Sequence, residues 1–277
     1  MRIDAHQHFW RPARGDYGWM PKDDPVLARP YLPADLRPQL DAAGIGRTVL
    51  VQAAPTIEET EYMLGLADAC GWVAGVVGWV DFERPEHRAQ LERLAGHPLF
   101  VGVRPMIQDI EDVDWMLRED VAWGYDALTE LDLTFDALGF PRHLNNFHRV
   151  LTSHPDMRAV IDHCMKPQVR DPSGFDAWAR GMRRLAEDTG AYVKLSGLVT
   201  EADEMPSVED LRPYAGLVLD AFGPGRVLWG SDWPVCRLRC EHSEWLALAE
   251  ELTGHLGEAD RARLFGGTAM EAYGLTA

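Results

Sequence analysis

Long apolar runs are missing from this sequence. No stretch of 18 apolar residues occurs in its 277 positions, which excludes a membrane-spanning helix. Cysteine is scarce: Cys70, Cys164, Cys236 and Cys240 are the four. None forms a CxxC pair, and Cys236/Cys240 has no partner ligands beside it, so the thiols read as free and mostly buried. Positive charge is short as well. Lys and Arg number 27 against 44 Asp and Glu, a formal charge of −17. That balance argues against nucleic acid or an anionic membrane as partner, although an anionic small molecule is not excluded by it. The N-terminus lacks a basic flank followed by an apolar h-region, so no signal peptide is expected and a cytoplasmic location follows. Linkers, low-complexity tracts and short-period repeats are absent too. The chain reads as one domain over residues 1–277, compatible with a monomer or a homo-oligomer.

What the sequence does contain is alternation. Eight short runs rich in Val, Ile and Leu recur: 3–6, 48–53, 73–80, 100–106, 133–138, 159–164, 192–197 and 227–232. Near-continuous apolar runs of this length suit strands covered on both faces. Between them lie helix-period segments, among them LPADLRPQLDAAG ending in Gly44. A capping-box pattern at Thr56–Glu59 opens a second, which stops at Gly71. Eight strand–helix units with right-handed crossovers predict an α/β fold, a single (β/α)8 TIM barrel. The one long irregular stretch, residues 11–31, follows the first strand and is expected over the barrel mouth.

In such a barrel the C-terminal strand ends converge on one pocket. Strand 1 ends in His6 and His8, which share a face because i and i+2 do so in a strand. Two inward imidazoles can chelate one metal ion, grip one oxygen atom, or simply satisfy neighbouring hydrogen bonds. Arg104 follows strand 4, Asp162-His163 end strand 6, Lys194 and Ser196 lie on strand 7, and Ser231-Asp232-Trp233 end strand 8. Three histidines and a carboxylate at one mouth favour a working site over a structural pair.

DAHQHFW (4–10), DHCMKP (162–167) and WGSDWPV (229–235), in this order, resemble the amidohydrolase superfamily. More narrowly, the chain is similar to its metal-independent branch of sugar lactonases and pyrone-dicarboxylate lactonases, over its whole length. The opening segment, YGWM (17–20) and GWVDF (78–82) are most similar to L-fuconolactonases and L-rhamnono-lactonases. Metal-dependent superfamily members usually add a strand-4 Lys or Glu and a strand-5 histidine; neither is present here. A dinuclear centre is therefore not expected. His6, His8, His163 and Asp232 could hold one Zn2+ or another divalent ion, or work without metal, as the resemblance implies.

The resemblance implies hydrolysis of an aldonolactone, with Asp232 as the base that activates water and His6, His8 and His163 polarising the carbonyl. Ser196 and Ser231 lack a GxSxG elbow and are not read as nucleophiles. For substrate contact the candidates are Arg104, Trp19, Trp79, Trp233, Gln52 and Asp136; each also has a structural use, as salt bridge, core aromatic or barrel wall. Pyrone-dicarboxylate substrates would want several cationic contacts. Metal-dependent amide hydrolysis and decarboxylation are the other chemistries on similar barrels.

Overall fold

The computed structural model describes residues 1–276. Eight parallel strands form one sheet in sequence order: β1 Arg2–Gln7, β2 Ile45–Val51, β3 Val73–Gly78, β4 Phe100–Val103, β5 Thr134–Ala137, β6 Ala159–Ile161, β7 Tyr192–Leu195 and β8 Val227–Trp229. Each is followed by a helix: α1 Pro33–Ala43, α2 Ile57–Cys70, α3 Arg88–Ala95, α4 Ala122–Glu130, α5 Leu144–Ser153, α6 Phe175–Asp188, α7 Val208–Phe222 and α8 His242–Leu252. The expected (β/α)8 barrel is what the chain forms. Among the described residues no helix is long and apolar enough to cross a membrane.

Local signals act where the sequence places them. The Thr56 hydroxyl accepts from Glu59 N at 3.1 Å at the start of α2. Gly44 and Gly71 end α1 and α2 with left-handed φ of 65°, which a residue bearing Cβ resists. Helix α7 begins at Val208, ahead of the apolar stretch that starts at Pro213, because Ser207 caps it.

Strand β1 is not regular. Between Asp4 and Gln7 it advances three residues while β2 advances two, Thr48 to Leu50. This is a β-bulge, a device that re-aims side chains near functional sites. Ile3 and Ala5 pack with Val49, Val51, Val160 and Leu228. The spare residue lets His6 face inward after Ala5, while Gln7 turns away and donates to Thr48 Oγ1 at 3.1 Å.

The barrel closes through residues beyond β8. Asp232 N donates to His6 O at 2.8 Å and His8 N to Trp233 O at 2.7 Å. Beside them Asp4 Oδ1 accepts from Ser231 N at 2.8 Å and His6 N at 3.2 Å. After the exposed helix α9 Glu258–Ala262, the opposite end is plugged by α10 Thr268–Ala272; Ala269, Ala272 and Tyr273 join the packed set around Ile3 and Ala5.

The seam leaves no room for a larger residue at 230. A Cβ on Gly230 would lie 2.6 Å from His6 Cβ and 3.0 Å from His6 N. Gly230→Ala is expected to destabilise the protein by about 1–3 kcal/mol, read as a lower midpoint of urea unfolding; an unchanged midpoint would mean the seam yields freely.

Candidate active site

The three imidazoles and one carboxylate meet. His6 Nε2 lies 3.2 Å from His8 Nε2. Asp232 Oδ1 stands 3.3 Å from His8 Nε2, 3.8 Å from His6 Nε2 and 3.9 Å from His163 Nε2. His163 and Asp232 reach these positions through backbone that few residues adopt. From His163 to Lys166, four consecutive non-glycine residues have φ between 48° and 59°, each costing about 1–3 kcal/mol of strain. The turn lets neighbours Asp162 and His163 both face inward, which a strand forbids. Asp232 has φ 55° as well. A Cβ at Gly197 would meet His163 Nδ1 at 2.6 Å, so only glycine admits the ring there.

Beneath the imidazoles lies a fully buried ionic cluster. Lys194 Nζ is 2.6 Å from Asp136 Oδ2, 2.8 Å from Asp162 Oδ1 and 3.0 Å from His6 Nδ1. Arg104 Nη1 donates to Asp162 Oδ2 at 3.1 Å, and its other terminal nitrogen to the carbonyl and side-chain oxygens of Gln52. Tyr273 Oη donates to Asp136 at 2.9 Å from the plugged end. Burial raises the Asp136 carboxyl to about 6 even with Lys194 opposing it. Burial would also raise Asp162, but Lys194, His6 and Arg104 outweigh it and hold that carboxyl well below the usual range.

Above the cluster opens a cavity of about 220 Å³, lined in part by His8, Arg104, His163, Lys166 and Asp232. It suits a molecule smaller than a typical drug. A larger cleft of about 720 Å³ lies between residues 169–176 and 202–214, but none of the strand-end groups reaches it. Burial lowers His163 to about 4, so its imidazole is neutral at pH 7. Burial acts to raise Asp232, and the imidazoles of His163, His8 and His6 overcome it and hold the carboxyl below its ordinary range. The side chain is therefore ionised and faces the cavity.

The profile described as Amidohydrolase matches residues 3–275. The chain belongs to the amidohydrolase family. It is 43% identical over 276 residues to an L-fucono-1,5-lactonase of Burkholderia ambifaria, spanning 98% of this chain and 95% of that protein. An L-fucono-1,5-lactonase of Burkholderia multivorans is 37% identical over 286 residues, 99% of this chain and 96% of that one. A crystal structure of an amidohydrolase from Burkholderia multivorans with bound zinc superposes with a TM-score of 0.94 at 36% identity, covering both chains completely.

In this amidohydrolase the expected substrate contacts divide. Arg104 and Trp19 line the cavity; the Trp19 indole is fixed by donating to Ala53 O at 2.6 Å. Four other candidates lie off its surface. Gln52 is buried and clamps Arg104, its amide also donating to Arg104 O at 2.9 Å. Asp136 sits a layer lower, on Lys194. Trp233 packs edge-on against Tyr31 and Phe9 at the seam, its carbonyl already taken by His8. Trp79 borders a separate cavity with Phe82 and Trp115. His6 itself is covered by His8. Lining residues missed in the sequence are Trp10, Ala53, Met106, Gln108, Leu138 and Val235; most sit a few positions beyond strand ends, where no motif marks them. Lys166 lines the cavity and donates to Gln108 Oε1 at 2.7 Å. Cys164 is outside the cavity, its thiol donating to Lys194 O at 3.2 Å.

As positions for a metal, His6, His8 and Asp232 form one set whose ligand atoms lie within 4.8 Å of one another, and His163 groups instead with His6 and Asp162. A tetrahedral zinc with bonds near 2.05 Å needs ligand atoms about 3.3 Å apart, which the His6–His8 and His8–Asp232 spacings of 3.2 and 3.3 Å meet. The second ring nitrogens are held as well, His8 Nδ1 donating to Val51 O at 2.7 Å and His163 Nδ1 lying 2.9 Å from Ser196 Oγ.

Asp162→Asn strands Lys194 and Arg104 with one carboxylate between them. Breaking a buried pair costs roughly 3–5 kcal/mol, so a thermal midpoint many degrees lower is expected by circular dichroism; a shift within error would mean that water compensates the cluster.

Proposed function

We propose that the cavity hydrolyses a sugar lactone, with L-fucono-1,5-lactone the first candidate, and that Asp232 is the general base. The observation that carries this is the Asp232 carboxylate, ionised and turned to the cavity beside the neutral imidazole of His163. The two Burkholderia lactonases, matched along nearly the whole chain, support the substrate class.

In the proposed reaction a water held by Asp232 gives up a proton to the carboxylate as its oxygen bonds to the lactone carbonyl carbon. The negative charge moves to the carbonyl oxygen. His163 is placed to stabilise it, through Nε2–H when the Ser196 hydroxyl donates to Nδ1. The ring C–O bond then breaks, and the leaving oxygen takes the proton back from Asp232, giving the open aldonic acid. A carboxylate held this low is a weak base, but a lactone is an activated ester and demands less assistance than an amide. Trp10 and Trp19 offer aromatic faces to the apolar side of a sugar ring. His6 acts at one remove, through His8.

A divalent ion bound by His6, His8 and Asp232 would supply Lewis-acid polarisation of the carbonyl. The zinc-bound relative favours that as a second reading; the hydrogen bonds around His6 favour the metal-free one. Pyrone dicarboxylates fit less well. Of the two cations on the cavity, Arg104 is committed to Gln52 and Asp162 and Lys166 to Gln108, whereas a dicarboxylate needs free ones.

The test is proton release from a panel of aldonolactones, with and without chelator. Turnover of L-fucono-1,5-lactone that survives chelation is expected. Asp232→Asn should lower kcat by about 10²–10⁴-fold, the usual worth of a general base, with KM little changed. Near-normal turnover by that variant would remove Asp232 from the role, and turnover lost on chelation and restored by zinc would establish the second reading.

A further inference from the structure

Glu59 belongs to the capping pattern at the start of α2, yet only half of that pattern forms. Thr56 Oγ1 accepts from Glu59 N, but the Glu59 carboxylate does not return to Thr56 N, which donates to Ala54 O at 2.9 Å. It reaches past the helix instead. Its oxygens accept from Ala53 N at 3.0 Å and from Ala54 N at 2.7 Å. The side chain is fully buried, and burial raises its carboxyl to about 7 against the pull of those two amides and Arg104. A carboxylate serves a helix start equally well in solvent, so burial at this position has another use.

The Ala54 N–H and the Ala53 C=O are two ends of one planar peptide unit. A bond that fixes the first therefore orients the second. The Ala53 carbonyl accepts the Trp19 indole at 2.6 Å, and Ala53 and Trp19 both line the cavity. Trp19 lies in the middle of the loop of residues 11–31, whose ends are tied by Trp10 N to Tyr31 O and Tyr31 N to Trp10 O, both 3.0 Å. Two residues before Trp19, Tyr17 brings its buried hydroxyl near Glu59; burial and the Glu59 charge raise that phenol. We propose that Glu59 is a positioning residue for substrate binding, holding the peptide unit on which Trp19 hangs and so setting the aromatic wall of the cavity. The proposal rests on reading this cavity as the lactone site. Trp19 is assigned to the sugar ring and not to the reacting carbonyl, so its release is read in KM and not in kcat.

The first test is independent of turnover. In protein labelled with 15N-tryptophan, deuterium exchange of the Trp19 indole, assigned by its loss in Trp19→Phe, is compared between the parent and Glu59→Met, which keeps the length and removes the acceptors. Exchange about tenfold faster is expected, with the indoles of Trp123 and Trp178, bonded at 2.8 Å to Phe82 O and Cys164 O, unchanged. An unchanged Trp19, or all three indoles faster alike, overturns the proposal. If Glu59→Met does not fold, the parent decides by titration. The Trp19 indole proton should then shift with the Glu59 carboxyl, near pH 7, and lose that step in Glu59→Gln; an indole that ignores pH overturns the proposal. The second test is kinetic. Glu59→Met should raise KM for L-fucono-1,5-lactone about fivefold at near-parental kcat, and should raise it no further in a Trp19→Phe background. Additive effects, or a loss in kcat alone, overturn the proposal. A protein that turns over no lactone fails the functional reading and leaves the exchange result to stand by itself.

Discussion

The closure of the barrel between β1 and β8 is the constraint on which the site depends. Strand β8 ends at Trp229, too early to pair fully with β1, and the gap is spanned by the backbone bonds from Asp232 to His6 and from His8 to Trp233. The residues that close the cylinder are among those proposed above to do its chemistry. Asp4 ties the same seam from one side through two backbone N–H groups, and Gly230 permits the strands to approach. Three of the four converging donors are thus fixed by main-chain hydrogen bonds, the kind of rigid support that keeps a catalytic constellation within tolerance. Only His163 arrives from elsewhere, and it arrives on a strained left-handed turn.

The buried charges under the site follow a related logic. Lys194 and Arg104 balance Asp136 and Asp162, so the cluster is formally neutral, and Asp232 is left as the carboxylate that faces the cavity. Such a cluster is poor value for stability alone, since apolar residues of similar volume commonly do as well. Its value lies in direction. Each ion fixes the orientation of a group above it: Asp162 and Gln52 hold the Arg104 fork at the cavity floor, and Asp136 with Tyr273 holds Lys194 against His6. The strain of residues 163–166 has the same rationale, because only the left-handed run presents Asp162 to the cluster and His163 to the cavity from adjacent positions.

The sequence made the fold and the centre of the site legible for physical reasons. Continuous apolar strands, capped helices and eightfold alternation leave few topologies, and chemistry-bearing residues at strand ends stand out because a barrel's apolar interior has no other use for them. Depth was not legible. Periodicity says whether a side chain points inward, not which layer of the barrel it occupies. Asp136 therefore resembled a substrate contact while lying a layer below, and Gln52 resembled one while clamping Arg104. Trp233 lies off the cavity for a different reason, since its indole belongs to the seam. The bulge at β1 was invisible too. Strict alternation from Ile3 would point His6 outward, and only the extra residue reconciles an apolar Ile3 and Ala5 with an inward His6. The loop residues that line the cavity carry no motif, because their positions are set by turns rather than by strand pattern.

Position and protonation are separate determinants of what such a site does. The same side chains of His6, His8 and Asp232, at the same spacings, would be a metal centre if the imidazole lone pairs converge and a hydrogen-bonding site if one imidazole carries a proton into the middle. Which of these obtains is decided by groups that never touch the cavity: a carbonyl behind His8, a hydroxyl behind His163, an ammonium behind His6. A carboxylate or carbonyl behind a histidine pushes its lone pair forward, the usual support for a metal ligand. An ammonium does the reverse. Of the three imidazoles here, the most deeply buried is the one backed by a cation, and it faces His8 across 3.2 Å.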